Sequence, residues 1–245
     1  MKAMILAAGM GTRLYPLTAY TPKALVEING QPALYYVINT LIQAGCTDIV
    51  INVHHFAEKI IAYLKKMNNF GINIHISDES DMLLDTGGGL KKASCFFDDE
   101  QPFFLHNADI LSSISLQSMY AYHIQQQSLV TLAVRSSFSS RALLFDNTNK
   151  LCGWTNTTTA VTRIVREIEG RPHMMGFCGI HVIHPKIFSL MIEDGVFSIM
   201  DVYMRLALTH SLIGYNTDNA WWADIGSVEK LIAAETYIKN NCMFE

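Results

Sequence analysis

The residues in this chain best suited to chemistry are two glycines, two cations and two carboxylates. An apolar run, Ala3-Met4-Ile5-Leu6-Ala7-Ala8, stops at Gly9-Met10-Gly11. That turn delivers Arg13, and Lys23 follows Pro22 ten residues later. Glycines lacking a Cβ let backbone N–H groups come close to a ligand. Successive N–H groups in such a turn form a concave anion site. Two cations beside it point to a polyphosphate. Taken alone, the G-x-G also describes a plain strand-to-helix turn with Arg13 and Lys23 in solvent. A dinucleotide-binding turn would need a third glycine where Leu14 stands, and no G-K-[ST] phosphate loop follows.

The carboxylates are Asp109, in Phe104-Leu105-His106-Asn107-Ala108-Asp109, and Asp224, in Trp221-Trp222-Ala223-Asp224-Ile225-Gly226. Each stands just past an apolar strand pattern, where a helix cap or turn aspartate would also stand. In a parallel sheet both would face the crevice. There they could share one hard cation such as Mg²⁺, which takes one or two carboxylates plus phosphate oxygens and water. Asp85-Thr86-Gly87-Gly88-Gly89-Leu90 is a second glycine cluster, open to a flat base or sugar or simply a helix start. Gly179 reads either as a strand glycine beside a ligand or as a bulge. Arg141, Arg163 and Arg166 are further cations in the irregular second half, whereas His54-His55 and His184-Pro185 lack metal-ligand spacing.

Strand and helix patterns alternate around these residues. Strands are expected at Lys2–Ala7, Asp48–Val53, Ile72–Ile76, Pro102–Leu105 and Leu129–Val134. Helices are expected at Pro32–Ala44, with Leu34, Val37, Ile38, Leu41 and Ile42 on one face, at Ala57–Met67, and at Leu116–Gln127. This βαβα rhythm predicts a Rossmann-like α/β fold, three layers deep, with a mostly parallel sheet covered on both faces. The second half is less regular. It holds strands at Ala142–Phe145, Leu151–Trp154, Met174–Ile183 and Trp221–Ile225, and helices at Lys186–Ile192, Ser198–Thr209 and Ser227–Lys239. The whole chain, 1–245, reads as a single domain, with 138–171 as a small β-rich insertion near the ligand edge.

Composition narrows the class. The chain has 245 residues, an apolar fraction of 50% and a net charge of −4, which leaves ample core and no sign of a nucleic-acid surface. No apolar run reaches the ~18 residues of a membrane span, and the opening run is too short for a signal peptide. Cys46, Cys95, Cys152, Cys178 and Cys242 are scattered, with no C-x-x-C. That pattern suits core cysteines in a reducing cytoplasm rather than a disulfide or zinc framework.

The string LAAGMGTRLYPLT…TPKALVEINGQP, from Leu6 to Pro32, resembles the signature of the sugar-1-phosphate nucleotidyltransferases. Asn107-Ala108-Asp109 and Trp222-Ala223-Asp224-Ile225-Gly226 look like that family's N-x-D and W-x-D-[IV]-G segments. Asp85–Leu90 looks like its base-reading glycine segment, with Asp85 where glutamate is usual. The resemblance implies a GT-A-like fold and an enzyme that joins a nucleoside triphosphate to a sugar 1-phosphate, releasing pyrophosphate, with Mg²⁺ as cofactor. It implies Arg13, Lys23 and Asp109 as catalytic residues. It implies nucleotide contacts at Leu6, Ala7, Ala8, Gly9, Gly11, Thr12, Arg13 and Gly88, sugar contacts at Asn107, Gly179 and Trp222, and metal ligands at Asp109 and Asp224. The family's Glu-Lys pair in the insertion has no counterpart here. N-acetylmuramate-1-phosphate uridylyltransferases look most similar, followed by mannose- or heptose-1-phosphate guanylyltransferases. That places the expected role in nucleotide-sugar supply for cell-envelope polysaccharide, by a cytoplasmic monomer or small homo-oligomer. A non-catalytic nucleotide-sugar sensor of the same fold and a nicotinamide-dependent oxidoreductase are the alternatives from other classes.

Overall fold

The computed structural model describes residues 1–167 and 170–241, so Cys242 and residues 168–169 of the segment 138–171 lie outside it. In chain order, β1 (Lys2–Leu6), β2 (Glu27–Ile28), β3 (Gln31–Pro32), α1 (Ala33–Gln43), β4 (Asp48–Val53), α2 (Ala57–Lys66) and β5 (Asn73–Asp78) come first. Then follow α3 (Asp85–Lys92), β6 (Phe103–Asn107), β7 (Ile110–Ser112), α4 (Leu116–Gln126) and β8 (Val130–Arg135). The remainder is β9 (Arg141–Phe145), β10 (Leu151–Asn156), β11 (Val161–Ile164), β12 (His173–Ile183), α5 (Ile187–Leu190), α6 (Ile199–Leu206), β13 (Leu212–Asn216), β14 (Trp222–Asp224) and α7 (Val228–Asn241). No helix among the described residues is long and apolar enough to cross a membrane.

The chain divides into two compact units. The first comprises Met1–Leu83, His106–Ile114 and Trp221–Glu245, and the second comprises Leu84–Leu105 and Ser115–Ala220. In the first unit β1, β4 and β5 pair in parallel, from Lys2↔Asp48 to Leu6↔Asn52 and from Asp48↔Asn73 to Val53↔Asp78. Ile49, Val50, Ile51 and Val53 are all buried, as a parallel strand covered on both faces requires. α1 buries Leu34, Val37, Ile38 and Leu41, the stripe expected from its spacing. Pro32 stands at its N-cap in an extended conformation, one position before the helix. Gly45 ends that helix region at φ 96°, donating its N–H to the Ile42 carbonyl at 2.8 Å.

In the second unit β8 and β13 are parallel, β12 runs antiparallel to β8, and β9, β10 and β11 continue from β12 as antiparallel neighbours. The register of β12 on β8 slips between Phe177 and His181, and Gly179 sits in that slip at φ 75°. Glycine takes that left-handed φ without the Cβ penalty other residues would meet, which suits it to this bulge. α5 is only four residues long, although an apolar pattern runs on to Ile192. Arg205 explains the early stop. Its guanidinium grips Glu193 through Nε and Nη2 at 2.7 and 2.8 Å and donates to the Leu190 carbonyl at 2.9 Å, giving that terminal carbonyl a partner outside the helix. Of the described cysteines, Cys46, Cys152 and Cys178 are buried and only Cys95 is exposed. Burial pushes the Cys46 thiol up to about 12 and Cys152 to about 11, so neither is a thiolate at neutral pH.

Candidate active site

The first unit assembles its polar residues where β1 and β4 end. Beyond Leu6 the chain leaves β1, and the Ala7 N–H donates to Asn52 Oδ1 at 2.7 Å. Asn52 is itself held by Glu79, its Nδ2 donating to Oε1 at 2.7 Å. Both side chains are buried, at 3% and 1% exposure, so this polar pair fixes the direction of the loop from inside the core. Gly11 then takes φ 65°. A Cβ there would lie 2.9 Å from both Lys23 Cβ and Thr18 Cγ2. Thr18 also donates its hydroxyl to the Gly11 carbonyl at 2.9 Å. Residues Thr12–Leu14 make one 3₁₀ turn. Among the described residues, the N–H groups of Gly9, Met10, Gly11, Thr12 and Arg13 donate to no protein acceptor. A row of free N–H groups on a left-handed turn is an anion nest.

The carboxylates meet through a short antiparallel ladder. β14 pairs with β7, with Asp224 opposite Ile110, and the Ile225 N–H donates to the Asp109 carbonyl at 3.0 Å. Asp109 thus sits in the turn just before β7, and Asp224 is at the end of β14 opposite the residue that follows it. Each carboxylate has a lysine: Lys23 is ion-paired with Asp109 Oδ2, and Lys230 with Asp224 Oδ2. The second Asp224 oxygen accepts the Gly226 N–H at 2.6 Å. A Cβ on Gly226 would meet Asp224 Oδ1 at 2.5 Å and Arg13 Nη2 at 2.8 Å. The glycine of the W-x-D-[IV]-G string is therefore the space in which Arg13 and Asp224 approach.

Burial pushes the Asp224 carboxyl up, but the Lys230 bond, the Gly226 N–H and the charges of Lys230 and Lys23 outweigh it, and the net direction is down. A carboxyl depressed in the folded state stabilises the fold above its unfolded pKa and loses that contribution as pH falls through the folded one. Lys230→Met is expected to move Asp224 up toward the ordinary carboxylate range, as read by carbon-detected titration of the aspartate carboxyls. An unchanged Asp224 titration would contradict the role given to Lys230.

Asn107 ends β6, half-buried, and its carbonyl accepts the His106 Nδ1 proton at 2.8 Å. Burial pushes His106 down to about 4, so it sits beneath the site as a neutral prop. Trp222 is half-buried in β14, opposite Ser112. Leu6, Ala7, Ala8 and Thr12 belong to the same β1-to-turn segment as Gly9, Gly11 and Arg13.

Gly88 and Gly179 lie in the second unit. Gly88 is inside α3, where a Cβ would lie 2.3 Å from the Gly195 carbonyl, and the Gly87 N–H donates to the Phe197 carbonyl at 2.9 Å. This glycine cluster has a packing reason of its own: α3 lies directly on the backbone of residues 195–197. The second unit also holds a cavity of about 460 Å³ bordered by Arg141, Trp154, Asn156, Phe177 and Asp201. Arg166 faces Asp146 at 3.9 Å. Asn52, Glu79 and Lys230 are site residues that the sequence did not mark.

The nucleotidyl transferase family model matches residues 2–141, which contain the glycine turn, Lys23 and Asp109. The chain belongs to this family. Its relatives in the family are sugar-1-phosphate enzymes. The N-acetylmuramate alpha-1-phosphate uridylyltransferase of Caulobacter vibrioides is 31% identical over 95% of both chains. The mannose-1-phosphate guanyltransferase of Yarrowia lipolytica is 28% identical over 95% of this chain and 62% of its own length. A UDP-glucose pyrophosphorylase solved with UDP-glucose has the same fold, with a TM-score of 0.79 at 20% identity, covering 98% of this chain and 99% of its own. The stretch that the family model covers includes the free N–H row, Arg13, Lys23 and Asp109, and Asp224 lies beyond it.

Proposed function

We propose that this chain makes UDP-N-acetylmuramate and pyrophosphate from UTP and N-acetylmuramate 1-phosphate. The observation that carries the nucleotidyl transfer is the convergence of Arg13, Lys23, Asp109 and Asp224 in one unit. The substrate pair rests on the uridylyltransferase relative, which matches over 95% of both chains, whereas this chain spans 62% of the Yarrowia guanyltransferase.

The reaction needs no nucleophilic side chain. An oxygen of the sugar phosphate attacks the α-phosphorus, a new P–O bond forms, and the bond to the β-phosphate oxygen breaks to release pyrophosphate. Catalysis is then positioning and charge neutralisation. The backbone N–H groups of Gly9–Arg13 and the Arg13 guanidinium hold the triphosphate and meet the charge that builds on departing pyrophosphate. Lys23 moves from Asp109 to the phosphate oxygens. Asp109, in the turn before β7, and Asp224, in β14, are hard oxygen donors about one-fifth exposed, and suit Mg²⁺. Bound there, Mg²⁺ would offset repulsion between the two phosphate groups. Taken by itself, the second unit has a 460 Å³ cavity that suits a sugar. Its aromatic wall suits a sugar face, and Arg141 is the cation for an acidic substituent such as the lactyl carboxylate of N-acetylmuramate. A triphosphate substrate and scattered cysteines with no C-x-x-C fit the cytoplasm.

The test is pyrophosphate release from each of the four nucleoside triphosphates with N-acetylmuramate, mannose and heptose 1-phosphates. UTP with N-acetylmuramate 1-phosphate is expected to have the highest kcat/KM. A GTP and mannose 1-phosphate optimum would replace the substrates and keep the reaction. No release from any pair, with nucleotide sugar bound, would replace the enzyme with a sensor.

A further inference from the structure

Within the second unit, a cavity of about 430 Å³ opens where β8 and β13 begin and β12 has just ended. Three imidazoles border it: His123 from α4, His184 just past β12, and His210 after α6. In each ring Nδ1 is already engaged by the protein. His123 Nδ1 lies 2.9 Å from Thr131 Oγ1 and 3.2 Å from Ser128 Oγ. His184 Nδ1 accepts the Lys186 backbone N–H at 3.1 Å, which leaves the ring proton on Nε2. His210 Nδ1 pairs with Thr209 Oγ1 at 2.8 Å. Among the described residues no Nε2 of the three has a protein partner. His123 is only 1% exposed, so its free edge is a built feature of the cavity and not a surface accident.

The chemistry of the lining selects the ligand. Lys186 adds an ammonium, Ser128 and Ser211 add hydroxyls, and no carboxylate borders the cavity. No three His, Cys, Asp or Glu side chains among the described residues are placed to hold a metal ion. Burial, and secondarily His184, push His123 down to about 4, so at neutral pH it is an uncharged ring offering hydrogen bonds rather than a repelled cation. The Lys186 ammonium and the His184 Nε2–H are donors, the other rings and the hydroxyls can turn donors toward a ligand, and with no carboxylate in the lining this set fits an oxyanion. The volume exceeds what inorganic phosphate fills and falls in the range of small-molecule sites. Pro102 and Leu129 supply an apolar wall for the rest of the ligand.

We propose that this cavity is a separate anion site, taking the phosphate group of a phosphorylated small molecule on the Nε2 edges of His123, His184 and His210 and the ammonium of Lys186. Nothing in this assignment depends on which sugar or base the nucleotidyl transfer uses. The test is a titration of ¹⁵N-labelled protein, free of nucleotide and divalent metal, at pH 7. Inorganic phosphate and phenyl phosphate are the probes, and the imidazole nitrogens report. Saturable shifts of these three rings are expected. The Lys186→Ala/His210→Gln variant is expected to bind about tenfold more weakly at unchanged Tm. Tighter binding of phenyl phosphate assigns the site to an ester, and tighter binding of inorganic phosphate assigns it to the free ion. Shifts that stay linear with probe concentration, or a double variant that binds as tightly as the parent, would overturn the proposal.

Discussion

Asp109→Ala is expected to lower kcat for nucleotide-sugar formation by about 10²–10³ at saturating nucleotide and Mg²⁺, the range found when one group stabilising transition-state charge is removed. The structure gives two reasons. Asp109 stands next to the β7–β14 ladder that carries Asp224, and in the proposed reaction its loss would remove one of two hard oxygen donors. It is also the resting partner of Lys23, whose ammonium would then be free to settle on Asp224 or on a phosphate in the wrong place. Neither effect needs a change in fold, because the backbone bond from Ile225 to the Asp109 carbonyl survives the substitution. Circular dichroism and Tm should therefore stay near the parent values. A folded Asp109→Ala protein with near-normal turnover would remove Asp109 from the metal and catalytic roles.

Gly11→Val is expected to damage both stability and activity, while Gly9→Ala spares stability. Gly11 stands at φ 65°, a region that costs an L-residue roughly 1–2 kcal/mol and a β-branched one more. The new Cβ would also meet Lys23 Cβ and Thr18 Cγ2 at 2.9 Å, so one of those chains must move. Together these effects predict a destabilisation of about 2–3 kcal/mol, a fall in Tm of roughly 5–10 °C for a chain of this size. Displacing Lys23 and turning the loop's N–H groups should cost a further ~10² in kcat/KM, as misplacements of about 1 Å do elsewhere. At Gly9 an added Cβ meets nothing within 4 Å. Thermal melts and kinetics of the two variants side by side decide the matter. Equal melts for both would mean that the turn tolerates side chains and that its conformation is not what holds Lys23.

The readable parts of this chain were those with a repeat or a fixed spacing. The stripe Leu34, Val37, Ile38 and Leu41 announced α1, and the apolar runs Ala3–Ala8 and Ile49–Val53 announced buried strands. Asp109 and Asp224 were legible only because both strings around them are distinctive. Their meeting depends on β7 and β14, three residues each, too short for any periodicity. β13 escaped notice for a related reason: Gly214 breaks a five-residue apolar pattern. Asn52 and Glu79 carry no pattern at all, since a lone polar residue at a strand end looks the same whether it faces solvent or a partner. Lys230 looks like any first-turn helix lysine until its reach to Asp224 is seen. The Gly87–Gly89 cluster has a second duty beside the one read from its motif: it packs on the backbone of residues 195–197.

The β7–β14 ladder also sets a timetable for synthesis. Its two strands lie about 110 residues apart, and nearly all of the second unit is made between them, so closing that loop carries an entropy cost that grows with the logarithm of its length. As the chain leaves the ribosome, the glycine turn, Arg13, Lys23 and Asp109 all emerge while Asp224 is still unmade. The nascent chain therefore holds the glycine turn, both cations and only one of the two carboxylates. The second carboxylate joins that set only once β14 has been made and has paired with β7.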